Sequence, residues 1–218
     1  MSKLISQTEL NRIRARVAAG IVAMQSGLPV VMADDDDREN EADLVAAAAT
    51  LSHDIMARMI RDCSGIVCLC LDGATVDRLD LPMMASSNDS RYGTPFTVSI
   101  DARLGTTTGV SAADRLATVK AAIAPGAKGS DFVRPGHMFP LRAQPGGVLT
   151  RRGHTEGSVE LAQLAGLGSA AILCELMTRE GEMLRGRQAK AYARRNGFPF
   201  LTIADLVAYR ENELALAA

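Results

Sequence analysis

Tryptophan is absent from this 218-residue chain, aromatic residues make up only 4% of it, and histidine occurs three times. So few rings leave little with which to stack nucleobases. The formal net charge of −1 provides no basic footprint for nucleic acid or an anionic membrane. No run approaches the roughly 18 apolar residues of a membrane span. The segment Met1 to Arg14 also lacks the apolar core and cleavage site of a signal peptide. The expectation is therefore a cytoplasmic protein with a small-molecule partner, no nucleic acid and no membrane. The four cysteines, Cys63, Cys68, Cys70 and Cys174, lack zinc-knuckle or redox-pair spacing, and without a secretory signal they read as reduced structural thiols.

Enough apolar content is present, 47%, for one full core, so a single domain over 1–218 is favoured. Leu10, Ile13, Val17, Ile21 and Met24 recur at helical spacing and Gly27 supplies a stop, which predicts a helix over 8–26. Val30 to Ala33 reads as a short strand, and 44–50 is open between helix and the return strand of a hairpin. Ser52 or Asp54 can cap the next helix, and Ile66 to Leu71 reads as a buried strand. Residues 85–93 are small and polar, a mobile loop that can close over a substrate, followed by a strand from Phe96 to Ile100. A helix over 112–124 ends at Pro125-Gly126. Arg134-Pro135-Gly136-His137 reads as a turn, Thr155 as the cap of a helix ending at Gly166, and Ala170 to Leu176 as a strand. Helices over 188–196 and 205–214 flank a strand from Phe198 to Ile203. Strands and helices interleave without repeat or linker, so the fold class is α+β (mixed α/β), a mixed sheet flanked by helices.

Two segments carry most of the chemistry. Asp34 to Asp43 holds seven carboxylates in ten residues beside Arg38, and such a run must be solvated, paired or neutralised by a cation. An EF-hand is excluded, because Glu41 and Ala47 stand where its glycine and its terminal glutamate belong. Arg151-Arg152-Gly153-His154-Thr155 adds an imidazole and two guanidiniums just before a helix start, where free N–H groups favour an anion. Together they can build a hard-metal site beside a phosphate site, although a solvated loop and a plain capping loop explain the same residues. His137 and Glu175 are further candidates. Glu175 follows an apolar strand whose desolvation would raise its pKa toward the range useful for proton transfer, with a turn histidine and an ordinary ion pair as the plain alternatives. His53 is assigned no role.

Six ordered motifs then make a resemblance specific: Asp37-Arg38-Glu39-Asn40-Glu41, Ser64 to Cys68, Gly109 to Arg115, Arg134 to His137, Gly147 to Arg151, and Gly153 to Glu156. From about Leu10 to Arg210 the chain resembles the 3,4-dihydroxy-2-butanone 4-phosphate synthase family. The resemblance implies the family's fold and a Mg²⁺- or Mn²⁺-dependent homodimer with active sites near the subunit interface. It also implies conversion of D-ribulose 5-phosphate to L-3,4-dihydroxybutan-2-one 4-phosphate and formate in riboflavin biosynthesis. Carried over by motif, Glu39 and His154 are metal ligands and His137 and Glu175 the acid/base pair. Arg38, Glu39, Asp43, Glu175 and the segment Arg151, Arg152, Gly153, His154 and Thr155 bind substrate. Asp34, Glu41, Cys68 and Thr108 are further pocket candidates, Cys68 as a positioning group. Ala42 and Arg152 depart from the family pattern, where glycine is expected; Arg152 adds charge near the phosphate end. A monofunctional enzyme without a cyclohydrolase domain is expected. The competing readings are another metal-dependent sugar-phosphate enzyme, an RNA-associated domain and a cation-binding structural protein.

Overall fold

In a computed structural model the chain is described over residues 5–217; the first four residues of the Met1–Arg14 reading lie outside them. Helices α1 (Gln7–Gln25), α2 (His53–Asp62), α3 (Gly73–Arg78), α4 (Ala112–Ile123), α5 (His154–Leu164), α6 (Gly186–Asn196) and α7 (Ile203–Ala217) surround one sheet. Its strands are β1 (Val30–Ala33), β2 (Ala42–Ala47), β3 (Cys68–Leu71), β4 (Ile100–Ala102), β5 (Phe132–Arg142), β6 (Ala170–Glu175) and β7 (Phe200–Thr202), in the order β4-β5-β3-β6-β2-β1-β7. β1–β7 and β3–β5 are parallel and the other pairs antiparallel, so the sheet is mixed as expected. No helix among the described residues is long and apolar enough to cross a membrane.

Period-2 alternation divides the core into two layers. Val31, Leu44, Leu69 and Ile172 face one layer with Met56, Val119 and Ala189 of α2, α4 and α6. Met32, Val45, Cys68, Cys70 and Leu173 face the other with Val17, Leu161 and Leu206 of α1, α5 and α7. The segment left open at 44–50 is the return strand: β2 pairs antiparallel with β1, Val30 opposite Val45 and Ala33 opposite Ala42. All four cysteines are buried free thiols, and Cys68 and Cys70 share one face as the alternation requires.

Three local expectations are corrected. Arg134 to His137 is not a turn but part of the extended β5. Pro135 has no N–H to donate, and Gly136 has no Cβ, which would lie 2.0 Å from the Ile100 carbonyl carbon. The Gly136 and His137 amides donate instead to Ser99 Oγ and Asp101 Oδ1, so the Pro-Gly pair makes an irregularity within a strand. Phe96 to Ile100 is not a strand; the strand proper covers only Ile100–Ala102, itself broken in register after Ile100, with isolated bridges at Phe96 and Thr97. Thr97 N donates to Pro140 O, but proline returns no hydrogen bond and the ladder stops. Thr155 does not cap α5: Gly153 does, and Thr155 sits buried in the first turn. Any Cβ at residue 153 would lie 2.2 Å from Arg151 Nη1, which leaves no space for a side-chain cap.

Candidate active site

The β1–β2 connection is wound around one buried carboxylate. Asp34 accepts from the Glu39 amide (3.0 Å) and Arg38 Nη1 (2.8 Å) on one oxygen and from the Glu41 amide (2.9 Å) on the other. The acid run is therefore a folded loop with a core-side anchor, and Arg152 clasps it from outside by donating two hydrogen bonds to Asp35. Asp43 follows on β2, directly opposite Glu175 on β6. Alternation turns both toward the α5 face of the sheet, which Cys68 also joins from β3.

Helix α5 begins at the same place. Its first residue, His154, is 6% exposed, with Nδ1 3.6 Å from Glu39 Oε2 and 3.7 Å from Asp43 Oδ2. Arg38, Glu39, Asp43, Cys68, Arg151, His154, Thr155 and Glu175 line one cavity of about 50 Å³, with Thr94, Phe96, Leu141 and Leu173. That volume suits a cation and a water or two rather than a whole pentulose phosphate. A hollow of about 700 Å³ lined by Arg61, Arg179, Tyr192 and Arg195 is far larger, but among the described residues the only cluster of potential metal ligands is Asp34, Glu39 and His154. Chemistry, not size, singles out the smaller cavity.

The donor set fits a hard divalent cation. Asp34, Glu39 and His154 present ligand atoms within 4.8 Å of one another, a carboxylate–imidazole mixture suited to Mg²⁺ or Mn²⁺ with further oxygens from water or substrate. Asp34 already accepts three protein donors, whereas Glu39 has Arg38 at 2.9 Å and His154 beside it at 3.6 Å. His154 Nε2 and Asp43 Oδ1 are buried without any hydrogen-bond partner; such atoms cost about 1–3 kcal/mol each unless something satisfies them.

Burial and crowding shift the ionisable groups of this cluster. Burial pushes the Asp43 carboxyl up to about 7; His154 opposes that, while Glu175, Glu39 and Glu41 add to it. Burial would lower His154, but Asp43, Glu39 and Asp34 outweigh it and hold the imidazole at about 9. Burial likewise opposes the charge on Glu39, yet His154 and Arg38 bring its carboxyl below the usual value. Glu41 is raised by burial and by Glu175 and Glu39, with Arg185 3.5 Å away in partial compensation. Burial pushes the Cys68 thiol well up, so it is a neutral wall group rather than a nucleophile.

On another wall of the cavity Arg151 donates to buried Glu156 (2.6 Å) and to the Tyr92 carbonyl (3.1 Å). Tyr92 also donates its hydroxyl to the Arg38 carbonyl (2.6 Å) and lies under the Arg38 guanidinium. The loop read as mobile thus leans on both arginines. Tyr92, Glu156, Thr94 and Phe96 were not predicted as site residues, although Glu156 closes a quoted motif; the signal for Tyr92 was a lone aromatic residue in an otherwise small, polar stretch.

Not every predicted residue lines this cavity. Arg152 is half exposed and turned to Asp35, and Gly153 contributes only its backbone as N-cap. His137 lies elsewhere, with its side chain 45% exposed and Nδ1 2.8 Å from Asp101 Oδ2. Thr108 is exposed beside it, next to Gly109, whose backbone packs against the His137–Asp101 pair.

Comparisons with known proteins identify the family. A family model for 3,4-dihydroxy-2-butanone 4-phosphate synthase matches residues 18–209. The chain is 59% identical over 203 residues to a 3,4-dihydroxy-2-butanone 4-phosphate synthase of Bordetella pertussis, covering 93% of this chain and 88% of that one. It is 60% identical over 195 residues to the Pseudomonas putida enzyme of the same name, covering 89% and 90%. A solved 3,4-dihydroxy-2-butanone 4-phosphate synthase in complex with two magnesium ions superposes with a TM-score of 0.86 at 44% identity, over 90% of this chain and 96% of that one. This chain belongs to the 3,4-dihydroxy-2-butanone 4-phosphate synthase family of enzymes.

Proposed function

We propose that the chain converts D-ribulose 5-phosphate to L-3,4-dihydroxybutan-2-one 4-phosphate and formate, the four-carbon supply for riboflavin, as a cytoplasmic homodimer. The carrying observation is the meeting of the Asp34–Glu39–His154 cluster with Arg38, Arg151, Asp43 and Glu175 around one cavity at the start of α5. Glu39 and His154 would hold a Mg²⁺ or Mn²⁺ ion, which would supply Lewis acidity at the sugar end of the cavity. Arg151 and the free N–H groups of the α5 N-terminus take the phosphate, while Arg38 and Asp43 orient the sugar hydroxyls. Glu175 accepts the proton beside the carbonyl, and His137 moves protons in the later loss of water, skeletal shift and formate release.

Within one chain His137 does not line the cavity. We therefore assign it to the site of a second copy, a reading supported by its exposure and by exposed Val110 and Ile66 around the same loops. Arg115 ties those loops together through the Val110 and Gly65 carbonyls. The test is formate release from D-ribulose 5-phosphate with Mg²⁺, with EDTA, and in Glu39→Ala, His154→Ala and Glu175→Ala. Formate that requires metal and all three side chains supports the reading; a folded, metal-supplied wild type that releases none overturns it. Equilibrium sedimentation of the wild type addresses the dimer, and a monomer at active concentrations removes it.

A further inference from the structure

We infer that Asp101 is the positioning residue for His137: it fixes the ring's orientation and its tautomer, so that Nε2 is the atom that takes and returns protons. The inference deepens the acid/base reading of His137 and rests on it. Asp101 begins the irregular part of the β4–β5 pairing, where the register shifts between Ile100 and Asp101. Such breaks re-aim side chains that a regular ladder would point elsewhere. Both oxygens of the buried carboxyl are spent on the same residue: Oδ1 accepts the His137 backbone amide at 2.9 Å and Oδ2 meets Nδ1 at 2.8 Å. Among the described residues Asp101 has no other ion-pair partner.

The tautomer follows from the donor inventory. A carboxylate only accepts, so the ring nitrogen facing it carries the proton. Nε2 is then left with a lone pair, on a side chain that is 45% exposed. Gly109, at φ +84°, closes over the pair; a Cβ there would lie 2.1 Å from Asp101 Oδ2 and 2.6 Å from His137 Nδ1. No side chain fits at residue 109 without displacing the carboxylate or the ring, so the Nδ1 side of the pair is closed off by Gly109.

Asp101→Asn separates geometry from chemistry. The asparagine oxygen still accepts the His137 amide, but its NH₂ faces Nδ1, which must then accept, and the ring proton moves to Nε2. The expected result is a kcat for formate release lowered about tenfold or more with KM within about twofold, and recovery in Asp101→Glu, which restores an acceptor-only group. With only three histidines in the chain, the ring-nitrogen NMR signals of His137 can be assigned. The neutral wild-type ring is to carry its proton on Nδ1, and the Asp101→Asn ring on Nε2. A wild-type ring protonated on Nε2 overturns the inference whether or not any variant folds. A kcat unchanged in Asp101→Asn while His137→Gln has lost activity overturns it too, and leaves the acid/base reading standing. Activity retained in His137→Gln removes the acid/base reading and this inference with it.

Discussion

The cavity at the start of α5 and the His137 edge of the sheet differ in how fully their polar atoms are satisfied. At the cavity, His154 Nε2 and Asp43 Oδ1 are buried with no partner. At the edge, both Asp101 oxygens are engaged and the ring projects outward. Buried orphans are rare because they are costly, so the first region keeps polar capacity for a further partner. The second is complete in itself and offers a ready group to something outside. Both regions nonetheless use one construction, a loop wound on a buried carboxylate: Asp34 gathers the Glu39 and Glu41 amides, and Asp114 gathers the Thr107 and Gly109 amides and the Thr107 hydroxyl.

The largest effect should come from deleting a ligand on the unfinished side. Glu39→Ala or His154→Ala is expected to reduce formate release by about 10³-fold or more, the equivalent of several kcal/mol of lost charge stabilisation. Mg²⁺ should raise the wild-type melting temperature by linkage and leave either variant unmoved. A wild type whose melting temperature ignores Mg²⁺ would break the contrast between the regions, because the orphaned atoms would then need another explanation.

Gly109→Ala tests the finished side. The added methyl meets Asp101 and His137, and the φ of +84° is strained for any L side chain, a cost on the order of 1–3 kcal/mol. Activity should fall with stability, but the Mg²⁺-induced rise in melting temperature should persist, since the cavity's ligands are untouched. Loss of that rise would show the two regions to be coupled within one chain.

Much of the cavity was legible because its signals are local. The acid run follows a four-residue apolar strand, Glu175 ends another, and His154 opens a helix, so each residue's position could be read from its neighbours. What was not legible depends on distant partners. Asp101 meets His137 across 36 residues, and nothing beside it in sequence marks it as different from any strand aspartate. The Pro-Gly pair at 135–136 carries a strong turn signal, overridden because the strand must pass within a methyl's width of Ile100. The exclusion of Thr155 as a cap is a local exception: it turns on Arg151 and Glu156, close in sequence, whose side chains both crowd Gly153.

The shared loop construction predicts a pH effect on the His137 side. Hydrogen bonds from the Thr107 amide and hydroxyl hold the Asp114 carboxyl below its ordinary 3.8. A group whose folded pKa is depressed contributes stability that is fully present above the unfolded value and is lost as pH falls through the folded one. Asp114→Asn should therefore be less stable than wild type by a constant margin at neutral pH. That margin should narrow below about pH 4, as the wild type's carboxylate protonates. Denaturant titrations at several pH values would show this, and a margin independent of pH would mean that the charge of Asp114 is not what organises the loop.

The smallest effect belongs to Tyr92, which sharpens the comparison by asking how the unfinished region is kept closed. Its hydroxyl holds the Arg38 carbonyl, its ring lies 5.3 Å from the Arg38 guanidinium, and its own carbonyl accepts from Arg151. Tyr92→Phe removes only the first contact, a hydrogen bond worth about 0.5–1.5 kcal/mol, and so should raise KM between about twofold and tenfold while leaving kcat nearly unchanged. Tyr92→Ala also removes the stacked ring and should raise KM further. Both keep the main-chain acceptor for Arg151, so an equal KM in the two variants would assign the whole effect to the hydroxyl. A fall in kcat without a change in KM would instead place Tyr92 in the chemistry, where its contacts with two arginines give it no evident part.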